Sequence, residues 1–244
     1  MQTAATVNQP LHIYALSEQA VTVLFGDKID DVLLQQVNRF NLLLGQYPFP
    51  GFYTAVPAYA TIAVFFDPVQ VMLSPDLPGD NCFKKVSAYL NSLVGRELTE
   101  TAESTDIVRI PVCYGADFGP DLLEVATLHN LSAEQVIELH SRAVYKVHMI
   151  GFVPGFAYLG GMPAVLTMPR KQTPRAAVPA GSVGIAGEQT GIYPMQTPGG
   201  WQIIGRTPVK LFDPNIGQPS LLKAGDTVMF EPIDELTYNR LSSQ

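Results

Sequence analysis

The stretch "PAGSVGIAGEQTGIYPMQTPGGWQIIGRT", Pro179–Thr207, carries seven glycines and two charged side chains, Glu188 and Arg206. Glycine-rich runs often cradle phosphates, so the spacing has to be tested first. A Walker loop needs two glycines at fixed spacing followed by Lys and Ser/Thr, and none is present. Gly184, Gly187 and Gly191 do not have the dinucleotide spacing G-x-G-x-x-G, and no helical pattern follows them. A standard nucleotide loop is therefore set aside. A nest of backbone N–H groups that cups an anion stays open. The alternative is structural: glycines at turns and bulges, Gly184, Gly187 and Gly205 foremost. Around them lie short β-prone pieces, Ser182–Ala186 and Trp201–Ile204, separated by Gly and Pro. Residues 151–205 hold 11 of the 20 glycines and four charged residues, Arg170, Lys171, Arg175 and Glu188. That composition predicts an all-β barrel or a heavily looped β domain.

Outward from this region the periodicity changes. "IVRIPVCYG" reads as a strand, "GPDLLEVATLHN" as a short helix with Pro120 in its first turn, and "LSAEQVIELH" as a helix with capping-box spacing from Ser132 to Gln135. "YKVHMIGF" alternates like a strand, and a turn at Ala224–Asp226 leads into a last strand. Residues 11–26 read as two strands around a turn. Residues 28–45 follow with Ile29, Leu33, Val37, Phe40 and Leu44 on one helical face and Gly45 as its stop. Two more strands come next, the second at Thr61–Phe66, and then a helix over about 80–95 with Phe83, Val86, Leu90, Leu93 and Val94 on one face. The order strand–strand–helix–strand–strand–helix predicts an α+β sandwich, one sheet covered by two helices. Polar residues 99–106 mark a linker or a loosely held strand, so we expect an N-terminal α+β domain over 1–105 and a β-barrel domain over 106–244.

Composition narrows the function. The chain has 244 residues, 47% hydrophobic and 15% charged, enough apolar material for real cores. A net charge of −7 gives no basic footprint for nucleic acid. Cys82 and Cys113 make neither a disulfide framework nor a zinc site, and read as reduced thiols of a cytoplasmic protein. "MQTAATVNQP" lacks a basic and an apolar region, so no signal peptide is expected. Between Lys146 and Arg170 lie 23 residues without Asp, Glu, Lys or Arg, long enough to span a bilayer. Three prolines and four glycines within them would leave backbone groups unpaired in lipid, and a membrane span is rejected.

Several constellations qualify as site candidates, each with a plainer reading. Phe152, Phe156 and Tyr158 surround a Pro154-Gly155 turn and either fill a core or line an apolar pocket. "TPGGW", Thr197, Pro198, Gly199, Gly200 and Trp201, sets the single Trp beside a tight turn, as a core plug or, as we favour, an interface anchor. Arg175 and Arg206 stand in glycine-lined, charge-poor surroundings that suit a carboxylate or phosphate clamp, or a structural hydrogen bond. His12, His129, His140 and His148 lack metal-ligand spacing and read as structural, His140 as a cation at a helix C-terminus.

"HMIGFVPGFAYLGG" followed by "TPRAAVPAGSVGIAGEQTGIYPMQTPGGWQIIGRTPVKLFDP", with "IPVCYG", "GPDL" and "VIELH", closely resembles the family of the 5-oxoprolinase B subunit. That family includes the histidine-kinase inhibitor KipI and proteins labelled allophanate hydrolase subunit 1. The match runs from about Ile107 to Pro232, with one departure: Ala157 stands where the family usually has proline. The resemblance implies a ferredoxin-like N-terminal domain and a cyclophilin-like C-terminal barrel. It implies one subunit of an ATP- and magnesium-dependent enzyme that opens 5-oxo-L-proline to L-glutamate, paired with a C subunit and completed by an A subunit. Arg175 and Arg206 would then stabilise charge, Phe152, Phe156, Tyr158, Gln189, Thr190 and Gly191 would line the pocket, and Thr197–Trp201 would face the partner. The KipI branch implies instead a non-enzymatic inhibitor whose partner is a histidine kinase.

Overall fold

The computed structural model describes residues 11–98 and 106–243, so the leader and most of the linker expectations lie outside the described residues. The chain divides into two compact units, Met1–Glu103 and Ser104–Gln244.

In the first unit, β1 (His12–Ser17), β2 (Ala20–Leu24), β3 (Phe52–Ala58) and β4 (Thr61–Phe66) form an antiparallel sheet in the order β1-β2-β4-β3. Strand β4 alternates strictly, burying Ile62, Val64 and Phe66. They pack with Val37, Phe40 and Leu44 of α1 (Asp31–Gln46) and with Val86 and Leu90 of α3 (Cys82–Ser92). Three sequence expectations shift. On α3 Phe83 is exposed and leaves the buried apolar face to Val86 and Leu90. The Asp30 carboxylate accepts from the Leu33 amide and starts α1 after Ile29, which is left exposed; the buried face is Leu34, Val37, Phe40, Leu43 and Leu44. Gly45 lies within α1, which runs to Gln46. A short helix, α2 (Pro68–Leu73), was not foreseen. Asp67 caps it and Pro68 opens it, but with Val71 as its single buried residue it has no apolar period to read.

The second unit is a closed barrel. Its strands are β5 (Ile107–Tyr114), β6 (Tyr145–Ile150), β7 (Ala157–Gly160), β9 (Ser182–Ala186), β10 (Gln189–Ile192), β12 (Gln202–Arg206) and β13 (Thr227–Ile233). They run β6-β13-β5-β12-β9-β10-β7, and β7 pairs again with β6 to close the ring. The β13–β5 pair is parallel and the others are antiparallel. Val112, Val183, Ile185, Ile204 and Phe230 belong to the barrel core, together with Val125 of α4 (Leu122–Leu128) and Val136 of α5 (Ala133–Arg142). The Ser132–Gln135 capping box is present. Pro120 lies before α4 rather than inside it, with Asp121 as the N-cap residue. On the other face of β9, a ribbon of β8 (Arg175–Val178) and β11 (Thr197–Gly199) accompanies a second small core of Phe156, Val178, Ala186, Tyr193, Trp201 and Ile203. A final helix, α6 (Glu235–Ser242), buries none of its residues and so left no pattern in the sequence.

Candidate functional site

Asp121 organises one side of the barrel. Its Oδ2 accepts from the Ile203 amide at 2.6 Å; its Oδ1 accepts from Arg175 Nη2 at 2.6 Å and lies 3.0 Å from Lys171 Nζ. With the carboxylate so engaged, α4 has no side-chain cap. Burial pushes the Asp121 carboxyl up, but the hydrogen bonds from Arg175, the Ile203 amide and Lys171 outweigh it and hold it below the usual range. Burial likewise pulls the Lys171 ammonium down, and its bonds to Asp121 and Glu124 more than reverse this. Arg175 is thus largely neutralised. Its Nη1 is buried without a hydrogen-bond partner among the described residues.

The three aromatics of "GFVPGFAY" do come together. Phe156 is buried and meets Phe152 at 5.6 Å, Tyr158 at 4.7 Å, Tyr193 at 5.2 Å and Trp201 at 5.4 Å between ring centroids, all edge-on. Phe152 is 61% exposed and holds a left-handed backbone, φ 69°, an unusual state for a bulky residue. Trp201 is 6% exposed, so of its two readings the plug describes its place and the projecting anchor does not. Beside it, Pro198 is exposed, Gly199 and Gly200 are half-buried, and the Thr197 hydroxyl donates to the Pro198 carbonyl. Gly191 makes room for the rings: a Cβ there would lie 2.9 Å from Trp201 Cζ3 and 3.0 Å from Phe156 Cζ.

Thr190 points elsewhere. Its hydroxyl donates to the Gly184 carbonyl, so its oxygen accepts from His140 Nε2; His140 Nδ1 in turn accepts from the Tyr114 hydroxyl at 2.8 Å. Both ring nitrogens are satisfied in the neutral Nε2–H tautomer, and the ring stacks on Phe230 at 4.5 Å. Burial pushes the imidazole down to about 3. This corrects the sequence reading of His140 as a cation: the ring turns inward to the barrel core, where charge is disfavoured more strongly than the helix end favours it. Gln189, the neighbour of Thr190, is half-buried at the start of β10.

Arg206 ends β12 directly opposite Ser182 of β9. Its guanidinium carbon lies 5.9 Å from the Phe118 ring centroid, and its Nε is buried without a hydrogen-bond partner among the described residues. Arg175 and Arg206 therefore sit in different surroundings, one ion-paired and one not. Sequence reasoning missed Asp121, Lys171, Ser182 and Phe118 as neighbours of these arginines. The available signal was "GPDL", where an acid next to proline was read only as a helix start. Among the described residues no group of three His, Cys, Asp or Glu is placed to hold a metal, and no helix is long and apolar enough to cross a membrane.

Residues 11–222 match a family model described as carboxyltransferase domain, subdomain C and D. The chain is 43% identical over 227 residues to the 5-oxoprolinase B subunit of Bacillus subtilis (strain 168), covering 93% of this chain and 95% of that one. It is 56% identical over 228 residues to the protein of the same name from Escherichia coli O157:H7, covering 93% and 98%. Among solved structures, TTHA0988 superposes with a TM-score of 0.76 at 34% identity over 91% of this chain; the match spans 41% of that longer chain. The chain belongs to the family of the 5-oxoprolinase B subunit.

Proposed function

We propose that the chain is the B subunit of an ATP-dependent 5-oxoprolinase, acting in the cytoplasm with a directly paired C subunit and with an A subunit. The observation that carries this reading is the near end-to-end likeness to proteins named for that subunit, which favours it over a kinase inhibitor. The strand order β1-β2-β4-β3, in which α1 carries the chain from β2 past β4 to β3, supports a ferredoxin-like first domain over 1–105. The closed barrel supports a cyclophilin-like second domain over 106–244. The free thiols of Cys82 and Cys113 suit a reducing compartment.

The lactam of 5-oxoproline is a stable amide, and coupling to ATP makes its opening favourable. Transfer of the γ-phosphoryl group to the amide oxygen, with ADP leaving, creates a better electrophile. Water then adds to the ring carbon and the C–N bond breaks, leaving γ-glutamyl phosphate, and a second water hydrolyses that acyl phosphate to glutamate and phosphate. Magnesium would shield the nucleotide phosphates in the assembled enzyme. This chain supplies the positive charge of the Arg206 guanidinium and a further donor in the partnerless Nη1 of the ion-paired Arg175, while the backbone at Thr190–Gly191 is engaged with β7 and β9. Phe152 and Tyr158, backed by the buried Phe156, give the lactam ring an apolar wall, and the turn Thr197–Gly200, supported underneath by Trp201, faces the C subunit.

The test is to co-purify the chain from its host and assay the assembly with ATP and 5-oxoproline. ATP hydrolysis that depends on 5-oxoproline is expected from the assembly and negligible from the isolated chain. An inactive assembly that instead blocks a histidine kinase would overturn the reading, and robust turnover by the chain alone would overturn the division of labour.

A further inference from the structure

We infer that Arg206 and Ser182 together grip the carboxylate of the lactam substrate, an assignment that rests on the oxoprolinase reading above. The register of β12 against β9 carries it. Ile203 lies opposite Gly184, but Gly205 lies opposite Val183 and Arg206 opposite Ser182, so β12 holds one extra residue between Ile203 and Gly205. Without that bulge the alternation would turn Arg206 into the barrel core; with it, Arg206 shares the outer face with Ser182. Gly205 makes the bulge possible, because a Cβ there would come within 2.6 Å of Val112 Cγ1. Directly opposed residues on one face hold their Cβ atoms about 5 Å apart.

The chemistry of the pair is one-sided. Ser182 is fully buried and its hydroxyl has no partner among the described residues; the same holds for Arg206 Nε. Arg206 makes no ion pair among the described residues, whereas Arg175 is held by Asp121 at 2.6 Å. Two shielded donors and one uncompensated positive charge cost free energy in the folded chain. Their arrangement fits a ligand that only accepts and carries negative charge. A carboxylate matches two adjacent donors with its two oxygens, one on the guanidinium Nε–H and one on the hydroxyl. The Phe118 ring lies against the guanidinium, 5.9 Å from its carbon.

The test uses the assembled enzyme with Arg206→Gln, Arg206→Lys or Ser182→Ala in this chain. It reads the KM for 5-oxoproline, the KM for ATP, and the inhibition constant of 5-oxoprolinamide, which keeps the ring and lacks the charge. Arg206→Gln should raise the KM for 5-oxoproline by about 10- to 100-fold and Ser182→Ala by about 10-fold, as expected for hydrogen bonds to a charged group. The inhibition constant of the neutral amide should move by less than about 2-fold, so the preference for acid over amide collapses. Ser182→Ala should also melt at the same temperature or higher, since it deletes an unpaired buried hydroxyl. Equal losses for acid and amide, or a rise confined to the KM for ATP, would overturn the clamp while leaving the oxoprolinase reading intact. A wild-type assembly that ignores 5-oxoproline overturns both.

Discussion

At the scale of single residues, the glycines of Pro179–Thr207 separate into distinct physical roles that composition cannot tell apart. Gly187 turns the β9–β10 hairpin at φ 57°, with nothing within 4 Å of a built Cβ. Gly191 has no left-handed backbone; it sits inside β10 under the rings of Trp201 and Phe156, with the Ala157 carbonyl 3.0 Å from a built Cβ. Gly187→Ala should therefore cost only the left-handed penalty, about 1 kcal/mol. Gly191→Ala forces rings and backbone apart and should cost about 1–3 kcal/mol, as overpacking does. Urea unfolding monitored by Trp201 fluorescence separates the two, because the blue-shifted emission of a buried indole should move only in Gly191→Ala. Similar emission and similar loss in both variants would show that the ring cluster does not depend on that glycine. Turn glycines were readable from the sequence. Packing glycines were not, since the atoms that crowd Gly191 and Gly184 come from elsewhere in the chain.

At the scale of elements, the same distinction decides what could be read. Helices α1 and α5 and strand β4 announce themselves because each presents a regular apolar face to one core. The ribbon β8–β11 has four and three residues and no such period; it is held by a polar node. Asp121 joins the start of α4 to Arg175 of β8 and to the Ile203 amide of β12. Asp121→Ala leaves Arg175 and the Ile203 amide without their acceptor and Lys171 with Glu124 alone, and should cost about 3 kcal/mol. Asp121→Asn keeps one acceptor oxygen and should cost less. The measurement is the midpoint shift in urea together with amide exchange at Ile203, which should accelerate in Asp121→Ala. Unchanged exchange there would mean that β12 is held without the carboxylate. On α5, Ser132→Ala removes one half of the capping box and should cost about 1 kcal/mol, read as a midpoint shift with no change in exchange at Ile203.

For the whole molecule, the architecture was legible as two regions with different punctuation, and the family motifs named the barrel. The direction of its interior was not legible, because a histidine at a helix end looks the same whether it faces water or a core. His140 faces the core, and this locates the acid sensitivity of the chain. In the first unit the depressed carboxyls Asp67 and Asp80 are solvent-exposed, so their bonds are screened and weigh little. His140 is shielded, bonded on both sides and held to about 3, well below its ordinary 6.5. Because the folded value is depressed, the stability it contributes is complete above pH 6.5 and is lost progressively as pH falls from 6.5 towards 3, where the unfolded chain takes up a proton that the barrel refuses. One such proton gives a slope of about 1.4 kcal/mol per pH unit in that window. Asp121, also depressed, adds its own loss only as pH falls below its ordinary 3.8. Between pH 6 and 4.5 the slope should therefore belong mainly to His140. His140→Gln should be less stable at pH 7 but flatter across that interval by about 1.4 kcal/mol per pH unit, measured by urea unfolding at a series of pH values. If the variant keeps the wild-type slope, the imidazole is not the group that titrates, and the bonds to Tyr114 and Thr190 do not hold it neutral.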